Sequence, residues 1–575
     1  MDAAAARPTA WDLVVECLRV EGIPYVFGLP GDPRHLYDAL TQVEDGPKAI
    51  GVRYETSGAF MAMAYARVSG TMAACFGCPG PGVANLVPGI LEAHSGCTPM
   101  LVLGVRAPRQ TNGMGAFQET DHLGMLRPIT KWATTVETPE TLAWTLRRAV
   151  SIARDGKPGP VYVELPADIG LEAVTGQPYR SAPIIDRPTP SRAAVTEACN
   201  LIQAARRPLL ITGGGAYLAR AGEAVAKFSE AFGVPIQTTP AGRGTVPEDH
   251  PLFVGLVGLY RTTVPREIYE AADLIITVGA RMEEFQGGFL PRPADPKIIQ
   301  IELDSFEIGR NWLPDVAIQA DARKAVLAMT AEFRIRRYKP SPAYAEEVTR
   351  RRGEAIAAME QEADAAIASG AMPMRGMTIV NAVSRVFGRD TILVKENGGQ
   401  DLWAYFWPTY QVLDADGCVP PAEQTAMGYG VIGAMAAKLA RPDRNVVCTT
   451  GDGAFQMSCH ELGTAAQQKL PVTWVVLNDG AFGWVQWIQR RDLGGRVVAT
   501  DFDPPVDIVG IARASNCGAV RVDAADQLIP ALEQAKRANT EGIPFVVDVP
   551  VDQSHHHAEF DRFHGYEPDP ASSTF

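Results

Sequence analysis

The chain reads as an α/β protein built of three blocks, each a mostly parallel sheet with helices returning between its strands. Three observations predict this. Short β-branched apolar runs alternate with amphipathic stretches of helix length from about residue 10 to residue 176, the pattern of strands joined by crossover helices. Composition then breaks at a proline-rich stretch and again at a charged helical connector, and the alternation resumes after each. With 575 residues and 46% apolar content, the chain can bury a large interior and should divide into about three or four domains.

The first block, residues 1–176, carries the run Val26-Phe27-Gly28-Leu29-Pro30-Gly31 and then Arg53-Tyr54-Glu55, which leads into a helix-like stretch from Ala59 to Arg67. Residues 177–191 hold four prolines and few periodic apolar residues, the composition of a linker. The second block, 192–335, opens on a strand from Pro208, continues through Gly213-Gly214-Gly215 and enters a helix from Ala221 to Phe232. The glycine triplet suits a nucleotide loop, yet it lacks a full G-x-G-x-x-G and serves close helix-to-strand packing equally well. A charged helical connector from Ala343 to Ala368, interrupted at Gly353, precedes the third block, 372–550, whose last strand is Pro544–Val549. Residues 551–575 form a tail with His555, His556, His557, Phe560, Phe563, His564 and Tyr566, too aromatic for a typical disordered terminus. A lid, a loose end and a histidine stretch with incidental metal affinity all remain open for it.

In the third block, Gly451-Asp452-Gly453 follows the apolar run from Asn445 to Thr450, and Asn478-Asp479-Gly480 follows a second run from Val472 to Leu477. Both runs have the length and branching of buried strands, and Ser458–Lys469 reads as the amphipathic helix that returns the chain between them. Two polar tips therefore lie side by side at the carboxyl edge of one parallel sheet. Asp452 offers a carboxylate and Asn478 an amide oxygen, hard ligands that suit Mg²⁺, and Gly453 lets backbone amides approach a phosphate.

Gly-Asp-Gly followed 26 residues after its Asp by Asn resembles the diphosphate signature of thiamine-diphosphate (ThDP) enzymes. The resemblance covers the chain to about residue 550. It implies three doubly wound parallel-sheet domains, pyrimidine-binding, middle and diphosphate-binding, followed by the tail or lid. It also implies metal ligation by Asp452, Asn478 and the carbonyl of Gly480. Cofactor contacts would come from Pro30, Gly31, Asn85, Gly399, Gln400, Gly451, Gly453, Ala454 and Asn478. Met427 would prop the bent cofactor, with core filling as the alternative. Glu55 would bond the aminopyrimidine and promote loss of the thiazolium proton, its proton affinity raised by an apolar wall of Ala59, Phe60 and Met61. Tyr54 stands where the family usually has His, and Asp479 where it more often has a second Asn. The cofactor would lie between the first domain of one subunit and the third of another, so a homodimer is the minimum and a homotetramer is expected.

The stretch Gly115-Ala116-Phe117-Gln118-Glu119-Thr120-Asp121 and the run Gly453-Ala454-Phe455-Gln456-Met457 resemble the acetolactate synthase branch. Gln118 would then point its amide at substrate, with Phe117 and Leu123 beside it. Past the metal loop, Ile488 stands where that branch carries a Trp that selects the acceptor. That stretch resembles bacterial 2-hydroxyacyl-CoA lyases, relatives of oxalyl-CoA decarboxylase, which release formyl-CoA; there Gln489 falls where some lyases place a proton-moving Glu. The expected function is such a lyase on a short acyl-CoA, and the alternative is an acetolactate-synthase-like keto-acid decarboxylase or carboligase. The middle domain would hold a CoA or ADP moiety in preference to FAD, or no nucleotide at all; Arg261 and Arg281 could meet phosphates there or simply pair with surface acids.

Net charge is −13 with no long basic run, so nucleic acid is not an expected partner. No stretch is apolar enough to span a bilayer, no leader pattern opens the chain, and nine cysteines are scattered without a framework, all of which point to a cytoplasmic protein. Cys75 and Cys78 form a C-x-x-C without a second pair and read as structural thiols.

Overall fold

A computed structural model describes residues 8–31, 34–174, 178–286 and 295–575. The domain boundary expected at residue 176 lies outside these. Three all-parallel sheets are present, as the alternation predicts. The first holds β1 (Tyr25–Gly28), β2 (Lys48–Gly51), β3 (Ala73–Gly77), β4 (Met100–Arg106), β5 (Trp132–Thr135) and β6 (Pro160–Pro166) in the order β2-β1-β3-β4-β6-β5. The second holds β7 (Pro208–Thr212), β8 (Ile236–Thr238), β9 (Phe253–Leu256), β10 (Leu274–Val278), β11 (Lys297–Glu302) and β12 (Val316–Gln319), with β7 and β10 adjacent at its centre. The third holds β13 (Met374–Arg375), β14 (Thr391–Lys395), β15 (Cys418–Val419), β16 (Asn445–Gly451), β17 (Thr473–Asn478), β18 (Gly518–Arg521) and β19 (Phe545–Asp552). Its order is β13-β19-β17-β16-β14-β15, with β18 also paired to β19. The central strands, such as β7 and β10, are buried along their whole length, because helices cover both faces of each sheet.

The chain forms two compact units. One contains the first sheet together with residues 421–442 and 458–468, and the other contains the second and third sheets and the C-terminus. In the first unit the helix Tyr429–Ala440, although it belongs by sequence to the third block, packs on the helix Glu55–Ser69. That helix is buried on all sides from Glu55 to Val68, which explains its alanine-rich sequence: only small side chains let neighbours approach around the full circumference.

Three expectations change on the structure. The connector Ala343–Ala368 is one unbroken helix through Gly353; a Cβ at Gly353 would meet nothing within 4 Å, so that glycine answers no packing demand and only lowers helix propensity. A helix begins directly at Asp452, and the return to β17 is made of the pieces Asp452–Ser458 and Leu462–Gln467 in place of one helix over Ser458–Lys469. The tail begins inside a strand, since Val551 pairs with Met374 at the sheet edge. It then folds back into the second unit, where His557, Phe560 and Phe575 are buried.

Candidate active site

Glu55 is the first residue of its helix and is buried. Its Oε2 accepts a 3.0 Å hydrogen bond from Asn85 Nδ2, and Tyr54 donates its hydroxyl to Asn85 Oδ1 at 3.3 Å. Tyr54 thus fixes which end of the Asn85 amide faces the carboxylate. Gly82 supplies the opposite wall: a Cβ there would stand 3.3 Å from Glu55 Oε1. The approach to the helix is anchored by Glu461, whose buried carboxylate accepts the backbone N–H of Arg53 at 2.7 Å and of Tyr54 at 3.2 Å. A carboxylate at this point satisfies donors that no residue of the helix can reach and complements the positive end of the helix dipole.

Gln118 lies in a loop held shut by Glu119, which accepts the N–H groups of Gly113 and, at 2.9 Å, Ala116. These backbone bonds hold the Glu119 carboxyl below the usual carboxylate range. Gln118 itself has φ +58°, and its backbone lies so close to Gly80 that a Cβ on Gly80 would stand 2.9 Å from the Gln118 carbonyl oxygen. Gly80, at φ +63°, is therefore required twice over, by conformation and by this contact.

In the second unit, adjacent parallel strands β16 and β17 bring Asp452 and Asn478 to one sheet edge. Gly480 N–H points at both, 3.1 Å from Asp452 Oδ2 and 3.2 Å from Asn478 Oδ1. Asn478 is oriented by Asp548 on β19, which accepts its Nδ2 at 2.9 Å and so turns Oδ1 toward the site. Asp452 Oδ1 is buried and accepts no hydrogen bond. Burial, and then the Asp479 carboxyl that faces it, push the Asp452 carboxyl well above its ordinary range; burial raises Asp479 as well. Two carboxyls confined together and a buried oxygen without a hydrogen bond form a donor set that a hard cation would satisfy.

Three stretches match thiamine pyrophosphate enzyme domains: residues 8–125 the N-terminal TPP binding domain, 195–329 the central domain, and 401–549 the C-terminal TPP binding domain. The chain is also 34% identical over 551 residues to the acetolactate synthase large subunit of Parasynechococcus marenigrum, covering 94% of this chain and 86% of that protein. The chain belongs to the thiamine pyrophosphate enzymes. Other relatives are a probable acetolactate synthase large subunit of Methanococcus aeolicus, 30% identical with 94% and 92% covered, and the acetolactate synthase large subunit of Corynebacterium glutamicum, 31% identical with 95% and 87% covered.

The donor set of this thiamine pyrophosphate enzyme fits a hard divalent cation carrying a diphosphate. Among the described residues no group of three or more His, Cys, Asp and Glu gathers to hold a metal. Positions 451 and 480 leave room, since a Cβ at either would meet nothing within 4 Å. Gly453 packs on the Phe482 ring, 2.9 Å from where a Cβ would be, and Ala454 is buried behind it. Gly399 rests on Trp484, 3.4 Å from a notional Cβ, and Gln400 is buried with Oε1 unpartnered. In the first unit Pro30 and Gly31 are exposed and Met427 is half-buried; a Cβ on Gly31 would strike Cys78 Sγ at 2.6 Å. Cys75 is buried and burial raises its thiol, which keeps it inert as expected for a packing thiol.

The residues expected to meet substrate are differently placed. Phe117 is 87% exposed, Leu123 is half-buried and Ile488 is exposed. Gln489 spends both ends of its amide on Val498, donating to the carbonyl at 3.1 Å and accepting the N–H at 2.9 Å. Arg261 is buried with Nε 3.4 Å from Glu559, and Arg281 lies 3.1 Å from Glu283, so each already faces a carboxylate. The Gly213-Gly214-Gly215 triplet packs on the turn after β10: Cβ atoms on Gly213 and Gly215 would stand 2.2 Å and 2.8 Å from Gly279. Close packing accounts for two of the three glycines.

Sequence reasoning missed the supporting acids. Glu461, Glu119 and Asp548 touch only backbone or amide groups of the residues that matter, and Glu461 does so from more than 400 positions away. Glu92 belongs with them: it is fully buried and accepts the N–H groups of Ala422 at 2.9 Å and Ala426 at 3.4 Å, beside Met427. Burial pushes its carboxyl up to about 7.

Proposed function

We propose that the protein is a ThDP- and Mg²⁺-dependent keto-acid carboligase of the acetolactate synthase type. The observation that carries this is the likeness to acetolactate synthase large subunits along 94% of the chain. ThDP, when bound, supplies an acidic carbon able to attack a carbonyl and to hold the electron pair released when the neighbouring carbon–carbon bond breaks.

The chain's own residues do the rest. Asp452, Asn478 and the Gly480 carbonyl would hold the cation and through it the diphosphate. Glu55, held by Asn85, would be the carboxyl that shares a proton with the aminopyrimidine ring of bound ThDP. Gln118, on the loop closed by Glu119, orients the oxygen or carboxylate of the substrate. Glu55 and Asp452 would work together across a homodimer, which is the smallest active form proposed, with a homotetramer expected.

A second reading, a 2-hydroxyacyl-CoA lyase releasing formyl-CoA, is favoured by one observation: Ile488 stands where acetolactate synthases carry their selecting Trp. The purified enzyme with ThDP and Mg²⁺ distinguishes the two. Two pyruvates condensing to acetolactate and CO₂, faster than any short 2-hydroxyacyl-CoA is cleaved, supports the carboligase; formyl-CoA release without acetolactate overturns it in favour of the lyase.

A further inference from the structure

Behind the Glu55 site lies a buried pair that neither motif contains. His122 and Glu164 are both buried. His122 Nε2 accepts the backbone N–H of Gly80 at 2.9 Å, and His122 Nδ1 lies 3.0 Å from Glu164 Oε2. A backbone N–H can only donate, so Nε2 carries the lone pair and Nδ1 the proton: the imidazole is neutral, and its tautomer is set by the carboxylate behind it. Glu164 is itself over-determined. Thr135 Oγ1 donates to it at 2.7 Å and the Tyr162 hydroxyl at 3.0 Å, with Arg106 Nε 4.0 Å away. The Tyr162 hydroxyl reaches it only because residue 104 is glycine, where a Cβ would stand 2.2 Å from that oxygen.

What this chain of bonds ends on is the turn Gly80-Pro81-Gly82. That turn touches both functional groups of the first unit. On one side Gly80 abuts the backbone of Gln118, and on the other Gly82 walls Glu55 Oε1, with Asn85, the partner of Glu55 Oε2, at the end of the short helix that Gly80 begins. A shift of Gly80 therefore moves the wall of the proton relay and the base of the Gln118 loop together.

We infer that His122 and Glu164 are positioning residues for this enzyme, setting the height of the Gly80–Gly82 turn and through it the register of Glu55 and Gln118. Both are buried, and neither is among the residues proposed to meet substrate or cofactor. The neutral imidazole acts as a rigid acceptor strut, and Glu164 prevents it from presenting an N–H to Gly80, which would place two donors face to face.

The inference rests on the relay assigned to Glu55 under the proposed function, so the test includes E55Q. Deuterium exchange at the thiazolium carbon is measured on ThDP-loaded enzyme without substrate, alongside hydrogen exchange of the backbone segment 78–86. H122L should keep its fold and its ThDP affinity while slowing thiazolium exchange roughly tenfold to a hundredfold, the scale of a displaced catalytic group, and should speed backbone exchange in segment 78–86. H122Q, whose amide oxygen can reach the same N–H, should restore most of both. E164L should fall between them, because the imidazole is then free to present the wrong nitrogen. If E55Q slows thiazolium exchange and H122L does not, the positioning role is overturned while the relay stands. If E55Q exchanges at the wild-type rate, the relay fails and takes the inference with it. If H122L does not fold, the comparison of H122Q with E164L decides, and identical wild-type values for both overturn the inference.

Discussion

Asp548 is not among the groups proposed to hold the cation, yet its loss should be felt by them. Its Oδ1 takes the Nδ2 of Asn478 at 2.9 Å, and its other oxygen is paired with Arg521 Nη1 at 2.5 Å. In D548L the Asn478 amide loses the partner that distinguishes its two ends, and an amide free to flip presents NH₂ to the cation for part of the time. Loss of such an outer partner typically lowers metal affinity tenfold to a hundredfold, or about 1.4 to 2.7 kcal/mol. Arg521 is 46% exposed, so its pair with Asp548 adds little that water would not replace. Burial already holds the Asp548 carboxyl above its ordinary range, and an apolar replacement relieves that desolvation, although Leu is the larger side chain. The fold should therefore survive while the metal affinity falls. Mg²⁺ titration at saturating ThDP, followed by tryptophan fluorescence, reads the effect; Trp474 lies on the same strand as Asn478. D548N keeps an oxygen for Asn478 and should lose less than tenfold. An unchanged Mg²⁺ midpoint in folded D548L would refute the anchoring argument.

E55Q should retain ThDP affinity and lose turnover by about a hundredfold to ten-thousandfold, the range for a positioned acid–base group; activity within a few-fold of wild type on a matched steady-state assay would reassign Glu55. D452A should fail to retain ThDP and Mg²⁺ on gel filtration, since the diphosphate would face a site stripped of its one ligating carboxylate; co-elution at wild-type stoichiometry would place the metal elsewhere. The tail should be sensitive to acid. Burial depresses His555 and His556 to about 4 and His557 to about 3, all below the ordinary value near 6.5, so the unfolded chain binds protons in that window that the folded chain refuses. Stability contributed by these neutral rings is complete above about pH 6.5 and is lost as pH falls toward about 4. Hydrogen exchange in segment 553–575 should rise between pH 7 and pH 5 ahead of the central strands; protection that is flat across this range contradicts the burial argument.

Three parallel sheets, their strands and the meeting of Asp452 and Asn478 at one sheet edge were legible because each follows from a local pattern. A buried parallel strand must be a short apolar run, and a group that greets a phosphate at a strand end must follow that run directly, as Asp452 follows β16 and Asn478 ends β17. The tail was less legible. Its aromatic content showed that it packs, but His555 stacks on Trp403 with centroids 5.2 Å apart and His556 on Phe560 at 5.1 Å, and no spacing in the sequence says which rings will meet. The continuity of the helix through Gly353 was misread for a related reason. A glycine weakens a helix by about 1 kcal/mol, which tertiary contacts at Val348, Ala355 and Met359 readily offset.

The acids that hold the site follow a different logic from the residues that form it. A group that meets a ligand is constrained in type, since hard cations want oxygen and a relay wants a carboxyl, and that constraint leaves a signature in sequence. A group that holds another in place is constrained only in position. Glu461 on the approach to Glu55, Glu119 across the Gln118 loop, Asp548 behind Asn478 and Glu92 beside Met427 all terminate on backbone N–H or amide donors. Any acceptor that arrives at the right point would satisfy such a donor, from any strand, helix or loop. Glu461 and Glu92 are buried and each accepts two backbone N–H bonds, so removing either would strand donors in a medium that cannot hydrate them. Rigidity of the site is thus vested in residues at unrelated places in the chain, Tyr54 among them, whose hydroxyl ends on Asn85.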